Sequence, residues 1–496
     1  KDMLSFANLF SDQTWFITLV TFLYIINFFL SIGIIFLERK NPSATLAWIM
    51  VLLLVPIVGI VFYFFFSQNI TRRRIYKVTQ EEKDLATNSL SKQKKRIVDG
   101  DFEYVNEEER RWEDLIRLNQ SYGRAYLTQD NEVEALTDGR AMFDRFLKDI
   151  KNAGENINVM YFILKTDAIG QMLIDALTAA ARRGVKVRLL VDALGSRQVT
   201  KHFLKDFLNA GGEFARFFPP KIRYLNTNFN YRNHRKLVII DDKIGYIGGF
   251  NIANEYLGYN KKFGYWRDTF LRIRGGSVLD MNGKFLLDWR AATRGMDNDV
   301  NIAKLFYEIP EAAGNSGVQI VSSGPDTDHE EIKRAFMKMI SAAEKNIYIQ
   351  TPYFVPDEPI QESLKMAAQS GVDVRIMIPC MPDHVFVYWA TYSYIGDIIR
   401  NGGRAYIYDG GFLHAKTMMV DGQVCTVGST NFDRRSFKLN WEGNAFIYDG
   451  KFTRHMENIF INDIRECHEL TKELYENRDL QIKIKEPFCR VLSDVL

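Results

Sequence analysis

Cysteine is scarce. Cys380, Cys425, Cys467 and Cys489 are the four in 496 residues, and no two form a C-x2-C pair. That spacing excludes a thiolate zinc site and a disulfide framework, leaving reduced thiols in or near the core. A surplus of one charge is also missing. Lys and Arg number 64 against 61 Asp and Glu, a net charge of +3, too even for a protein that coats a polyanion. No nucleic-acid partner is expected. The length admits two domains with sizeable cores plus a further segment.

Long apolar runs are present at one end only. Trp15 to Leu37 carries no charge, and Leu46 to Phe66 follows after the short charged turn from Glu38 to Pro42. A helix needs roughly 20 apolar residues to cross a bilayer. The first run exceeds a signal-peptide core and lacks a basic leader or a small-residue cleavage site. Residues 1–67 are therefore expected to form a transmembrane helical hairpin, with Pro56 and Gly59 leaving a re-entrant second segment as the alternative. Arg72, Arg73, Arg74 and Lys77 follow directly, against Arg39 and Lys40 in the turn. The positive-inside bias then makes this a multi-pass protein with its large C-terminal part cytoplasmic. The same cluster suits anionic lipid head groups.

Residues 68–126 are charge-rich with weak helical periodicity and read as a connecting helical region. Beyond them the chain repeats itself. Ile150 to Ile157 leads to Tyr161-Phe162, a helical pattern around Ile169 to Ala181, then Arg183 to Arg188 and the strand Leu189 to Val191. Ile340 to Ile347 leads likewise to Tyr353-Phe354, a helical pattern around Ile360 to Ala368, then Gly371 to Arg375 and the strand Ile376 to Ile378. Strand, helix and strand in that order imply parallel β-α-β units. The fold class is thus α/β, with two similar halves over residues 127–310 and 311–496, the second including a C-terminal tail.

Each half continues to the same motif. His234-x-Lys236-x4-Asp241 is matched by His414-x-Lys416-x4-Asp421, and Gly248-Gly249-Phe250-Asn251 and Gly428-Ser429-Thr430-Asn431 follow at identical distances. Three fixed positions recur by chance only about once in several thousand starting points. Histidine and lysine two apart on a strand share a face. The aspartates fall on the opposite parity at the mouth of a hairpin, so within the candidate catalytic set Asp241 and Asp421 carry a supporting role. Asn251 and Asn431 can donate amide hydrogen bonds to a phosphoryl oxygen. Two imidazoles, two ammonium groups and two amides suit a negatively charged tetrahedral group, with no metal and no cofactor. One histidine can attack phosphorus while the other moves the proton of the leaving and entering alcohol. Asp268 and Glu442, downstream of the two motifs, could orient the imidazoles.

These residues resemble the phospholipase D superfamily, in which HxKxxxxD and G[GS]xN elements occur twice per active site. Within it the chain resembles the bacterial cardiolipin synthases with two transmembrane segments. The likeness extends to Asn41 to Trp48, Phe263 to Asp268, Ser322 to Pro325, Pro352 to Pro356, Pro382-Asp383-His384 and Gly411 to His414. It implies one active site between the halves, at a bacterial cell membrane. There one phosphatidylglycerol donates its phosphatidyl group to a histidine and a second accepts it, giving cardiolipin and glycerol. By the family pattern His234 is the nucleophile and His414 the acid and base, although the halves are too alike for sequence to decide. A hydrolase of the same chemistry, with water as acceptor, is the alternative, and a silent membrane scaffold is disfavoured by the intact motifs. Phe214, Phe217, Phe218, Tyr224, Phe229 and Tyr231 before His234, and Phe386 to Tyr394 after His384, fit either a lipid-facing rim or ordinary packing. His384 is either a pocket residue by the resemblance or a turn histidine, whereas His202, His329, His455 and His468 read as surface residues. The run from Ile482 to Leu496 is expected to pack on the domain as an amphipathic tail. The oligomeric state stays open, a homo-oligomer included.

Overall fold

The computed structural model describes residues 2–37, 42–55, 59, 63, 75–219, 230–294, 300–308 and 311–493. They fall into two compact units, residues 1–72 and 73–496.

The first unit contains the helices Asp2–Leu37 and Pro42–Leu54. Trp15, Phe16 and Ile17 are each more than half exposed, although successive residues point about 100° apart around a helix. Phe22 and Phe29, and Leu46, Met50 and Leu54 in the second helix, are equally open. Side-chain surroundings in the first helix are described for residues 14–30 and 32–33. Among the described residues no helix is long and apolar enough to cross a membrane. The expected hairpin is therefore not established by the fold. Much of its second run, and Arg72 to Arg74 used for its orientation, lie outside the described residues.

The second unit repeats one strand plan. Its first half holds β1 (Thr128–Asp138), β2 (Asn156–Tyr161), β3 (Lys186–Asp192), β4 (Glu213–Phe217), β5 (Arg232–Asn233), β6 (Leu237–Ile240), β7 (Ile244–Gly248) and β8 (Tyr265–Arg274). The second holds β9 (Ser316–Ser323), β10 (Asn346–Gln350), β11 (Phe354–Val355), β12 (Asp373–Pro379), β13 (Arg404–Tyr408), β14 (Gly411–Leu413), β15 (Thr417–Val420), β16 (Val424–Gly428), β17 (Phe432–Asp433), β18 (Asn440–Tyr448) and β19 (Cys467–Glu469). Pairing runs β1-β8-β7-β6-β2-β3-β4 in one half and β9-β18-β16-β15-β10-β12-β13 in the other, with β2-β3-β4 and β10-β12-β13 parallel. The crossovers between β2 and β3 and between β10 and β12 are the helices Ala168–Arg182 and Glu358–Gln369, over the apolar patterns noted in the sequence.

Apolar faces of these helices close two cores. Phe143, Phe146, Leu173 and Leu177 pack on Ile157, Val187 and Val238 in the first half, where Phe412 joins from the second. In the second, Phe336, Ile360 and Leu364 pack on Ile347, Ile376 and Met418. Burying such a side chain contributes about 1.5–3 kcal/mol. The charged connecting region belongs to this core too: Trp112, Leu115 and Ile116 are fully buried in it. Its helix Gln80–Val98 begins on a capping box between Thr79 and Glu82. Glu82 also takes both nitrogens of Arg290 at 2.7 and 2.8 Å, so the segment straps both halves.

Among the described residues, three strand pairings weld the halves. β1 meets β9 antiparallel, β5 meets β18 parallel, and β14 meets β8 parallel. The C-terminal helix Leu480–Ser493 packs on the helix Val385–Arg400, with Arg490 on Asp397 at 2.7 Å. The tail therefore lies on the domain, while Leu480, Ile484, Phe488 and Val491 stay exposed.

Candidate active site

The His-x-Lys pairs are not inside the long ladders that strand parity assumed. Residues 234–236 link β5 to β6, and 414–416 link β14 to β15. The chain leaves one partner there and joins another: β5 pairs with β18, whereas β6 pairs with β2 and β7. The link is pinned across the halves, because the His234 amide donates to the Trp441 carbonyl at 2.8 Å and the His414 amide to that of Arg267 at 2.7 Å. The residues after Trp441 and Arg267 are Glu442 and Asp268. The backbone pairing thus delivers each histidine to a carboxylate of the opposite half.

The contacts are short. His234 Nδ1 lies 2.9 and 3.0 Å from the two Glu442 oxygens, and His414 Nδ1 lies 2.6 Å from Asp268 Oδ2. Both carboxylates are fully buried. Glu442 also accepts from the Ser429 hydroxyl and from Asn440 Nδ2 at 3.1 Å, and Asp268 accepts the Thr269 amide at 2.7 Å. Lys236 Nζ donates to the His234 carbonyl at 2.7 Å, and Lys416 Nζ to that of His414. Bending each ammonium back to its own histidine brings both charges near both rings.

Burial dominates the electrostatics. It lowers His234 against the opposing pull of Glu442, and with the Lys416 charge it drives His414 down to about 4. Burial likewise brings Lys236 to about 7 and Lys416 to about 8. At Glu442 burial pushes upward, but the His234 contact, the Lys236 charge and the Ser429 bond outweigh it and hold the carboxyl below its usual value. Both imidazoles are thereby held neutral at pH 7, and a carboxylate that accepts from Nδ1–H leaves Nε2 with its lone pair.

Asp241 and Asp421 do not touch the imidazoles. Each sits in a left-handed turn, φ 53° and 56°. Asp241 accepts the amides of Gly154, Glu155 and Asn156 at 2.7–2.9 Å, and Asp421 those of Glu344, Lys345 and Asn346 at 2.7–3.0 Å. They fasten the hairpins to the starts of β2 and β10. Asn251 and Asn431 lie at the site, each with one amide N–H donated. Asn251 donates to Tyr256 Oη at 3.0 Å and accepts the Ile163 amide at 3.0 Å, and Asn431 donates to Asp433 at 3.2 Å. An NH2 group keeps a second hydrogen for a ligand.

The two histidines open on one cavity of about 540 Å3, also lined by Asn251, Asn431, His384, Phe386 and Cys489. His384 is therefore at the pocket, while His202, His329, His455 and His468 are exposed. Of the aromatic residues before His234, Tyr224 and Phe229 lie outside the described residues, and Phe217 and Phe218 pack on Trp441 instead. Cys425 and Cys489 are buried, Cys380 and Cys467 partly so, and all four are free thiols. Among the described residues no group of three or more His, Cys, Asp or Glu is placed to hold a metal ion.

Sequence reasoning missed the brace behind His234. Asp288 takes Arg235 Nη1 at 2.7 and 2.9 Å, Asn233 Nδ2 at 3.0 Å and Tyr76 Oη at 2.6 Å, while Arg235 Nε reaches the Glu442 carbonyl at 3.1 Å. The Arg beside the histidine was a visible signal, but its partners lie far off in the chain.

The sequence model of the family described as "Cardiolipin synthase, PLD-like domain" matches residues 146–265 and 336–464, and that described as "Phospholipase_D-nuclease N-terminal" matches 25–68. The chain is 44% identical over 478 residues to the "Cardiolipin synthase" of Listeria monocytogenes serotype 4a (strain HCC23), covering 96% of this chain and 99% of that one. It is 44% identical over 480 residues to the "Major cardiolipin synthase ClsA" of Bacillus subtilis (strain 168), with 96% and 99% covered. Among solved structures, the phosphatidylserine synthase of Haemophilus influenzae Rd KW20 shares the fold at a TM-score of 0.59 and 16% identity, covering 77% of this chain and 98% of that one. With a duplicated His-x-Lys site and near full-length likeness of this kind, the chain belongs to the cardiolipin synthase family of the phospholipase D superfamily.

Proposed function

We propose that the chain joins two phosphatidylglycerol molecules into cardiolipin and glycerol through a phosphohistidine on His234. The observation that carries this reading is the crossed arrangement, in which each half's imidazole is oriented by the other half's buried carboxylate over one cavity. Nε2 of His234 attacks phosphorus, the bond to the glycerol oxygen breaks, and His414 supplies the proton to that oxygen. The acceptor hydroxyl then returns a proton to His414, its oxygen bonds phosphorus, and the P–N bond breaks. A phosphodiester anion beside the rings raises their proton affinity, so His414 becomes an acid only as substrate arrives. Lys236 and Lys416 offset the charge that builds on the phosphoryl oxygens. Assigning the nucleophile to His234 rests on Glu442, which is held ionised and meets the ring with both oxygens.

The N-terminal unit is the proposed membrane anchor, a multi-pass hairpin with the two α/β halves on the cytoplasmic side. Its support is the pair of apolar runs and the outward apolar side chains around the first helix, a pattern that suits a lipid solvent.

The test supplies the purified full chain with phosphatidylglycerol alone, without metal or nucleotide, and follows the lipids. Cardiolipin and free glycerol in equal amounts is the expected outcome. Phosphatidic acid as the only product overturns the transfer reading in favour of hydrolysis.

A further inference from the structure

Transfer to a second phosphatidylglycerol brings two phosphates into one cavity. The histidines, lysines and asparagines meet the one that reacts. The acceptor carries its own phosphodiester anion, one three-carbon glyceryl unit from the attacking hydroxyl, and this second anion must be met by another part of a lining that mixes aromatic and aliphatic side chains with charged ones. Leaving a buried charge without a counter-charge is costly.

Three guanidinium groups line that wall: Arg232, Arg434 and Arg435. Arg232 is 3% exposed and ends 3.5 Å from Asp192 Oδ1. Asp192 is itself fastened by the amides of Leu194, Gly195 and Asn233 at 2.9–3.1 Å. Arg435 Nη2 donates to the Asn230 carbonyl at 3.0 Å, which brings it to the same stretch of chain. Burial pulls Arg435 below the ordinary arginine value against the opposing pull of Asp433, and the Arg232 charge adds to the lowering. Of the acids on the lining, Glu255 holds Lys165 at 2.6 Å and Asp383 takes the Tyr353 hydroxyl, while Asp433 takes the Ser436 amide at 2.6 Å and stands close enough to Arg435 to act on its charge. Arg232 also stands on the His234 side of the cavity. Arg232 lies two residues before His234 and pairs in register with Asn440, which binds Glu442.

We propose that Arg434 and Arg435, backed by Arg232, form a second anion site that holds the phosphodiester of the acceptor lipid while its terminal hydroxyl attacks the phosphohistidine. The inference rests on the transfer reading above. In the step it serves, the hydroxyl proton passes to His414 Nε2, the oxygen bonds phosphorus, and the electron pair of the broken P–N bond returns to the His234 ring. Arginine suits this task because its planar fork meets a phosphate with two parallel bonds.

An acceptor without a phosphate separates this site from the rest of the machinery. Labelled glycerol exchanging into phosphatidylglycerol uses the same donor, phosphohistidine and proton transfers. Arg435→Gln and Arg434→Gln should each cut cardiolipin formation about tenfold, the loss expected for one charge-assisted contact, and leave glycerol exchange within about twofold. Retained exchange also reports that the variant is folded. Cardiolipin formation and exchange falling together, or neither falling, overturns the proposal. Wild-type chain that yields only phosphatidic acid defeats the transfer reading instead, and the two failures are thus distinct. Free glycerol phosphate identifies the recognised group. Inhibition of cardiolipin formation but not of exchange means a phosphate alone is bound, and no inhibition beside the same arginine effect means the lipid-borne diester is needed; both outcomes support the site.

Discussion

In the first half His234 is followed by Arg235, and in the second His414 is followed by Ala415. Asp288, on the helix after β8, braces Arg235 beside the imidazole. Asp463, on the helix after β18, grips Arg267 instead, with Nη2 to Oδ2 at 2.7 Å, and so braces the neighbour of the carboxylate. The carboxylates differ as well. Glu442 and Asp268 occupy equivalent places, since Ser429 donates to the Gly443 carbonyl as Gly249 does to that of Thr269, both at 3.0 Å. Beside Glu442 stands Ser429, whose hydroxyl binds it. Beside Asp268 stands Gly249, where an added Cβ would come within 2.0 Å of Asp268 Oδ1. A repeat that keeps its His-x-Lys pairs has thus diverged in what supports them, and two chemically identical imidazoles sit in unlike surroundings.

The sharpest break in that near-symmetry comes from deleting the rings. His234→Ala and His414→Ala should each lower turnover by at least about a thousandfold, since a missing nucleophile or acid removes the step it serves. They should differ in a trapping assay with a donor bearing a good leaving group. The His414 variant should still accumulate labelled phosphoenzyme in mass spectra taken after quenching in alkaline denaturant, whereas the His234 variant should not; the reverse result exchanges their roles.

Next come the orienting carboxylates. Glu442→Gln and Asp268→Asn should each cost roughly 10²–10⁴ in kcat by freeing the imidazole tautomer, with phosphoenzyme formation slower in the Glu442 variant. Steady-state and single-turnover rates measured side by side decide it.

Stability offers a contrast between likeness and divergence. Asp241→Ala and Asp421→Ala each remove three amide bonds, so both should lose about 2–4 kcal/mol in denaturant unfolding. Gly249→Ser should destabilise the chain through its clash with Asp268, but Ser429→Gly should cost only about 1 kcal/mol for one lost hydrogen bond. Equal effects at the two positions would show that the flanking residues are interchangeable.

One effect is confined to mildly acid pH. His414 is held at about 4 in the folded chain, against roughly 6.5 when unfolded. Between these values the unfolded chain binds the extra proton, so this contribution to stability is complete above pH 6.5 and is lost as pH falls toward 4. Calorimetric Tm values should therefore drop less on acidification in His414→Gln than in wild type.

How legible all this was in the sequence depended on distance along the chain. The β-α-β repeat, the paired motifs and the turn position of Asp241 and Asp421 follow from local pattern. Asp268 and Glu442 were visible as candidates, but not which imidazole each meets, because β5–β18 and β14–β8 join residues of different halves. The strand break at His234 and His414 was hidden for the same reason: the change of partner that causes it is a tertiary event. Trp112, Leu115 and Ile116 sit in a segment whose charge masked its apolar stripe, and Tyr76, Asp288 and Arg235 meet only on folding. Ser429 was read as part of a spacing, not as a donor to Glu442.

The exchange of carboxylates between the halves also bears on inheritance. A duplicated gene normally lets one copy drift while the other keeps the trade. Here neither copy is spare, since the carboxylate that meets His234 is encoded in the later half and the one that meets His414 in the earlier. Loss of either carboxylate would be felt in the opposite half, which ties the two halves together as a single unit of selection.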